Sequence, residues 1–232
     1  MRTKIYKDGT YLDINPSWHE EDSPWKAEQI RNIIEKNSLN PKRICEIGCG
    51  AGEILNQLSE KYYSDREFVG YEISPQAFEI CKKKTKSNLS FKLSDLLEDS
   101  SEYYDIVMAI DVLEHVENYF YFLRKLKEKA EYKIFHIPLD ISVQTVLRSA
   151  PIIRGRNLFG HIHYFTKETA LETLKDTGYE IIDYFYTGGS LELPRRGWKA
   201  NLLKFPRKLL FALNRDLAVR LLGGYSLLVL TK

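Results

Sequence analysis

The stretch Glu46-Ile47-Gly48-Cys49-Gly50-Ala51-Gly52 puts an acid ahead of three glycines at alternate positions. Glycine permits positive φ and lets a backbone come close to a ligand. If a helix follows, its free N–H groups attract an anion, whether carboxylate or phosphate. Pyrophosphate loops favour G-x-G-x-x-G, but here the glycines fall at 48, 50 and 52. Glu46 repels a phosphate and attracts a cationic amine. Glu72, 20 residues beyond Gly52, suits both hydroxyls of a ribose, and Asp95 suits an adenine amino group. Taken singly, each acid also reads as a solvated loop residue. Spaced to end successive strands, together they describe a nucleoside site with a cationic, phosphate-free tail.

Candidate acid–base groups lie further on. Histidine titrates near neutrality, which suits removal of a proton from a hydroxyl. His115, His161 and His163 are the main candidates, with His136 and His19 behind them. His115 and His163 are assigned as catalytic. His115 follows a strand end on the acceptor side, and His163 stands at the mouth of an expected Ser142–Phe165 loop. The structural alternatives are a helix-start histidine bonded to backbone, and an aromatic edge beside Tyr164 and Phe165.

These residues need elements to hold them. Strands are expected at Arg43–Ile47, Phe68–Ile73, Leu89–Leu93, Tyr104–Ile110 and Tyr132–Ile137, from short apolar runs. Helices are expected from Ser23 as N-cap with Pro24 at the first position, and over Gly52–Tyr62, Pro75–Lys84 and Asn118–Ala130. A fifth helix spans Lys167–Thr177, with Thr166 as cap and Gly178 as stop. Glu180–Tyr186 and Tyr225–Thr231 read as strands. This alternation predicts an α/β fold with a doubly wound, mostly parallel sheet and helices on both faces.

At 232 residues and 44% hydrophobic content, the chain suits a single domain over 1–232. Its parts are a helical cap at 1–40, a core at 41–187, an insertion at 188–224 and a last strand at 225–232. The net charge of +2 does not call for nucleic acid. Cys45, Cys49 and Cys81 form no C-x-x-C pair and read as reduced thiols of a cytoplasmic protein. The first residues lack an apolar signal segment, and no run is long enough to span a bilayer.

From about Arg43 to Tyr186 the chain resembles the class I S-adenosylmethionine (SAM)-dependent methyltransferases. Glu46–Gly52 looks like their first motif, Gly70-Tyr71-Glu72-Ile73-Ser74 their second-strand motif and Ser94-Asp95-Leu96 their adenine motif. Tyr104-Asp105-Ile106-Val107 with Asp111-Val112-Leu113-Glu114-His115 is similar to the small-molecule branch that includes ubiquinone-biosynthesis O-methyltransferases. His161–Thr166 and Gly178-Tyr179-Glu180 also fit that branch. The resemblance implies a Rossmann-like seven-stranded sheet whose last strand is antiparallel, with a cap around Tyr11–Ala27. It implies SAM as cofactor, S-adenosylhomocysteine (SAH) as product and methyl transfer to a small molecule, at oxygen. The implied cofactor residues are Glu46, Gly48, Cys49, Gly50, Gly52, Glu72, Ile73, Ser94, Asp95, Leu96 and Asp111.

Asp111, Glu114, His115 and a later histidine also resemble the metal ligands of small-RNA 2′-O-methyltransferases, which would hold Mg²⁺ or Mn²⁺. Similar strings occur in metal-free relatives, and no metal is expected. A SAM-binding regulatory protein without catalysis is the alternative from another class. A nicotinamide oxidoreductase is disfavoured by the glycine spacing.

The insertion at Leu191–Leu222 carries Arg195, Arg196, Lys199, Lys204, Arg207, Lys208, Arg215 and Arg220 against Glu192 and Asp216. It is net +6 and the rest about −4. Trp198, Leu202, Leu203 and Phe205 are interleaved, and a helix from Pro206 would align Leu209, Leu210, Leu213 and Leu217. Three readings stand: peripheral contact with an anionic membrane, binding of an anionic or lipid-linked substrate, or a packed cap or homodimer contact. Nucleic acid is not expected, since no recognition module is evident.

Overall fold

The computed structural model describes residues 5–6, 8–18, 20–193 and 204–232. Seven strands form one sheet: β1 (Arg43–Ile47), β2 (Glu67–Glu72), β3 (Leu89–Leu93), β4 (Tyr104–Ile110), β5 (Ala130–Pro138), β6 (Ile181–Thr187) and β7 (Ser226–Thr231). Their order is β3-β2-β1-β4-β5-β7-β6. The first five run parallel, and β7 runs antiparallel to both β5 and β6. The order reverses between β1 and β4, and open α/β sheets bind ligands at such a switch point.

Side chains alternate across the sheet with period two. Ile44, Phe68, Ile106, Met108 and Ile134 face one way. They meet Ile30, Ile33 and Ile34 of α2 (Ser23–Lys36) and Leu55 and Leu58 of α3 (Glu53–Lys61). Cys45, Val69, Val107, Ala109 and Phe135 face the other way. They meet Leu123 and Leu126 of α5 (Tyr119–Lys127) and Leu171 and Leu174 of α8 (Lys167–Asp176). Burying each Ile or Leu contributes about 1.5–3 kcal/mol, so these two faces hold the sheet in place. Among the remaining helices, α1 is Thr10–Ile14 and α4 is Pro75–Cys81.

Three local expectations are corrected. Ser23 is the first helical residue rather than the cap: Asp22 holds that position and makes no capping bond. The expected Ser142–Phe165 loop instead carries α6 (Val143–Arg148) and α7 (Ala150–Leu158). Ser142 and Thr145 form a reciprocal capping box at the start of α6. Ser149, at φ 53°, separates the two helices. In the insertion, α9 (Gly189–Glu192) is followed by α10 (Lys204–Leu213) and α11 (Arg215–Leu222). Asn214 caps α11 by accepting from the Leu217 N–H, so the expected single apolar face is broken there. Leu210 packs on the core while Leu209, Leu213 and Leu217 are exposed. His19, Arg195, Arg196, Trp198, Lys199, Leu202 and Leu203 lie outside the described residues.

Candidate active site

A cavity of about 820 Å³ opens at the carboxyl ends of β1, β2 and β4. Glu46, Gly48, Cys49, Gly50, Glu72, Ile73, Asp95, Asp111 and His115 all line it. Gly48, Gly50 and Gly52 take φ of 68°, 54° and 74°. At Gly52 a Cβ would lie 2.5 Å from Phe91 Cε1 and 2.8 Å from Cys81 Cβ. That glycine is required by packing as well as by its turn, and it does not reach the cavity wall.

The Glu72 carboxylate accepts from the N–H groups of Gly50 (2.8 Å), Ile73 (2.8 Å) and Ser74 (2.7 Å). It therefore ties the glycine loop to the end of β2. Burial raises its pKa, against the pull of those three donors. Glu46 is 2% exposed, and its Oε2 is buried with no hydrogen-bond partner. Burial pushes its pKa well up, opposed by the Lys26 ammonium. A buried, unpartnered carboxylate is costly, and a cationic group brought by a ligand would satisfy it.

Asp95 caps a turn over Leu96–Glu98 by accepting from the Leu97 N–H at 2.9 Å. Leu96 is wholly buried and Ser94 is exposed; neither lines the cavity. Asp111 takes φ 54°. Its N–H donates to His136 O (3.0 Å), and its carboxylate meets His136 Nδ1 (2.6 Å) and Lys26 Nζ (2.8 Å). Burial opposes ionisation of Asp111, yet His136 and Lys26 together hold its pKa well below the usual range.

Lys26 was not among the predicted site residues. It lies on the first turns of α2, where the macrodipole favours acids rather than cations. That mismatch is the sequence signal that would have found it. Tyr6, Tyr11 and Trp18 also line the cavity, with neighbouring ring centroids 4.9 and 4.7 Å apart. Trp18 lies over Gly50, where a Cβ would stand 3.6 Å from its Cε3.

Another part of the cavity wall gathers His115, His161, Glu114 and Asp140. His161 Nδ1 meets Asp140 Oδ2 at 2.7 Å. Its ring lies 5.1 Å from that of His115. Tyr6 Oη is 3.0 Å from His115 Nδ1 and donates to Phe159 O at 3.1 Å. Burial, with His161 adding to it, lowers the His115 pKa to about 4. Glu114 is wholly buried, and neither carboxylate oxygen has a hydrogen-bond partner. Burial and then the Asp111 charge raise its pKa well above the carboxylate range. Its carbonyl accepts from the N–H groups of Ile162 (2.8 Å) and His163 (3.1 Å), which fixes the chain around His161 against the end of β4.

His163 does not line this cavity. Its ring packs edge-on against Tyr119 at 4.7 Å, the aromatic-edge arrangement. In extended backbone, alternate residues share a side; the backbone here forms no strand, so His161 and His163 part. Sequence reading named His161 as a candidate but did not favour it, and Asp140 carries no motif to mark it. Glu114, His115 and His161 each present one ligand atom within 4.8 Å of the others, a grouping with metal-binding geometry.

Comparison with known proteins agrees with this geometry. The family described as Methyltransferase domain matches residues 18–184. The chain belongs to that family and is a class I SAM-dependent methyltransferase. The ubiquinone biosynthesis O-methyltransferase of Rickettsia canadensis (strain McKiel) is 24% identical over 185 residues, covering 74% of this chain and 78% of that protein. The (S)-coclaurine N-methyltransferase of Thalictrum flavum subsp. glaucum is 30% identical over 89 residues. That match covers 37% of this chain and 25% of the plant protein. In fold, magnesium protoporphyrin IX methyltransferase from Synechocystis PCC 6803 with bound SAH gives a TM-score of 0.59 at 18% identity, covering 90% and 82% of the two chains. The N-methyltransferase NodS from Bradyrhizobium japonicum WM9, also with SAH, gives 0.57 at 16% identity, covering 96% and 97%.

Proposed function

We propose that this protein methylates a hydroxyl of a small molecule, with His161 as the base. The Asp140–His161 pair on the acceptor side carries this reading. The cofactor fits the other half. Glu46 offers an unpartnered buried oxygen to its ammonium, and Lys26 a cation to its carboxylate. Glu72 and Asp95 offer oxygens to ribose and adenine, beside the glycine cradle. When bound, SAM supplies a methyl group on a sulfonium, open to in-line attack.

The chain's own residues then have three tasks. Tyr6, Tyr11 and Trp18 roof the cavity and exclude water. Asp140 accepts from Nδ1–H of His161, which fixes the tautomer and leaves Nε2 as the proton acceptor. His115, with its pKa near 4, stays neutral at working pH and is the weaker base. It serves instead to pack His161 and to hold the Tyr6 hydroxyl. Amine acceptors are neutralised more readily, so a positioned base favours oxygen.

Radiolabelled methyl transfer to matched phenol, carboxylic acid and amine panels tests the reading. Turnover on hydroxyl acceptors that collapses in His161→Ala supports it. Turnover on amines alone refutes it, and tight SAH binding without turnover on any panel makes the protein a SAM-binding module. The Glu114–His115–His161 grouping favours one second reading, the same reaction assisted by a divalent cation at those groups. Activity lost to a chelator and restored by Mg²⁺ or Mn²⁺ would establish it; chelator-insensitive turnover would discard it.

A further inference from the structure

Residues 143–158 and 204–222, which form α6–α7 and α10–α11, carry eight arginines and lysines and one acid, Asp216. The two segments thus hold +7 in a chain whose total is +2. The helices adjoin: α6 packs beside α11, and α11 beside α10. Their outward faces are apolar as well as basic. Leu147 is 81% exposed, Leu213 76% and Phe205 73%. Phe205, Leu209 and Leu213 repeat every four residues along α10, and Val143, Val146 and Leu147 form a stripe on α6. Between α6 and α11 runs a groove of about 530 Å³, lined by Val143, Val146, Leu147 and Val219, with Lys167 and Arg220 beside them, paired to Asp216 and Glu168. Exposed apolar side chains grouped this way mark an interaction surface.

We infer that this helical face docks on an anionic lipid bilayer. Two observations select lipid over a second copy of the chain. A twofold dimer would set the same two basic segments, net +7, against themselves, and like charges across an interface are repulsive. Phosphate and carboxylate headgroups instead supply the opposite charge, while leucine and phenylalanine side chains enter the acyl boundary beneath them. No described helix is long and apolar enough to cross a membrane, so the contact is with the surface. Both helical pairs lead directly into the cavity wall, α7 into Phe159 and α11 into Gly224 and Tyr225. Docking therefore brings the cavity close to the membrane. The inference rests on surface composition and holds whichever atom is methylated.

Co-sedimentation of the full chain with vesicles is the test. The protein should pellet with phosphatidylcholine vesicles containing about a third phosphatidylserine, and about tenfold less with pure phosphatidylcholine. Raising salt from about 0.1 to about 0.5 M should release it. The paired change Leu147→Ser and Leu213→Ser should weaken binding about tenfold at unchanged melting temperature, because both side chains are already solvated. Absent binding, equal binding to both vesicles, or wild-type binding by the paired variant would overturn the inference. A dimer in sedimentation velocity that the paired change dissociates would assign the face to self-association and overturn it too.

Discussion

Replacing Glu46 with glutamine should move two observables in opposite directions. Glu46 is 2% exposed, and its Oε2 has no hydrogen-bond partner. Burial raises its folded pKa well above the usual carboxylate range, against the opposing pull of Lys26. A group with a raised folded pKa contributes stability that is fully present below the unfolded value. That stability is lost as pH rises through the folded value. Near neutrality the ligand-free fold therefore bears the cost of an ionised or forcibly protonated carboxylate. Glu46→Gln removes that cost, so its melting temperature without ligand should equal or exceed that of wild type. The decline of wild-type stability from about pH 5 to about pH 7 should flatten in the variant. SAH binding should move the other way. A hydrogen bond to a charged group contributes about 1.5–3 kcal/mol, so affinity should fall roughly 10- to 100-fold. Thermal melting across pH and titration calorimetry with SAH read the two effects separately. An SAH affinity within about twofold of wild type would refute the reasoning, as would a ligand-free destabilisation matching the affinity loss.

Three more outcomes are expected. His161→Ala and Asp140→Asn should each lower kcat by about a hundredfold or more while SAH affinity in calorimetry stays unchanged; a parallel loss of SAH binding would place the pair in the cofactor site instead. Gly52→Ala should lose about 2–4 kcal/mol in urea unfolding, because its φ of 74° and a Cβ 2.5 Å from Phe91 both oppose a side chain; a loss under about 1 kcal/mol would show that Phe91 yields freely. His115, lowered from 6.5 to about 4, binds its proton less well folded than unfolded. Its share of stability, about 3 kcal/mol, is full above about pH 6.5 and is lost as pH falls toward 4. His115→Phe should flatten that slope in melting curves, and an unchanged slope would assign the acid sensitivity elsewhere.

The glycine-loop side of the cavity was legible because backbone builds it. A strand end, a glycine turn and a helix start follow one another in sequence, so Glu46, Gly48, Gly50, Glu72 and Asp95 sit at fixed offsets from apolar runs that are themselves readable. The side around His115 and His161 is made of side chains that only the tertiary structure brings together. Tyr6 comes from the N-terminal cap, His115 follows β4, Asp140 follows β5 and His161 follows α7. No periodicity links them. The helices α6 and α7 went unread for a related reason: neither has a buried residue, so no core-facing stripe marks them. His163 was favoured because it stands at the mouth of an expected Ser142–Phe165 loop. The chain there is irregular and pinned by the Glu114 carbonyl, and only His161 turns toward Asp140.

The two halves of the cavity are joined through the cap. Tyr6 contacts His115 and Phe159, while its ring neighbour Tyr11 meets Trp18 at a tilt, and Trp18 lies over Gly50. The same aromatic group thus borders both the glycine loop and the His115–His161 pair. Glu46, Glu72 and the glycine turn are fixed by the sheet and its strand-end hydrogen bonds.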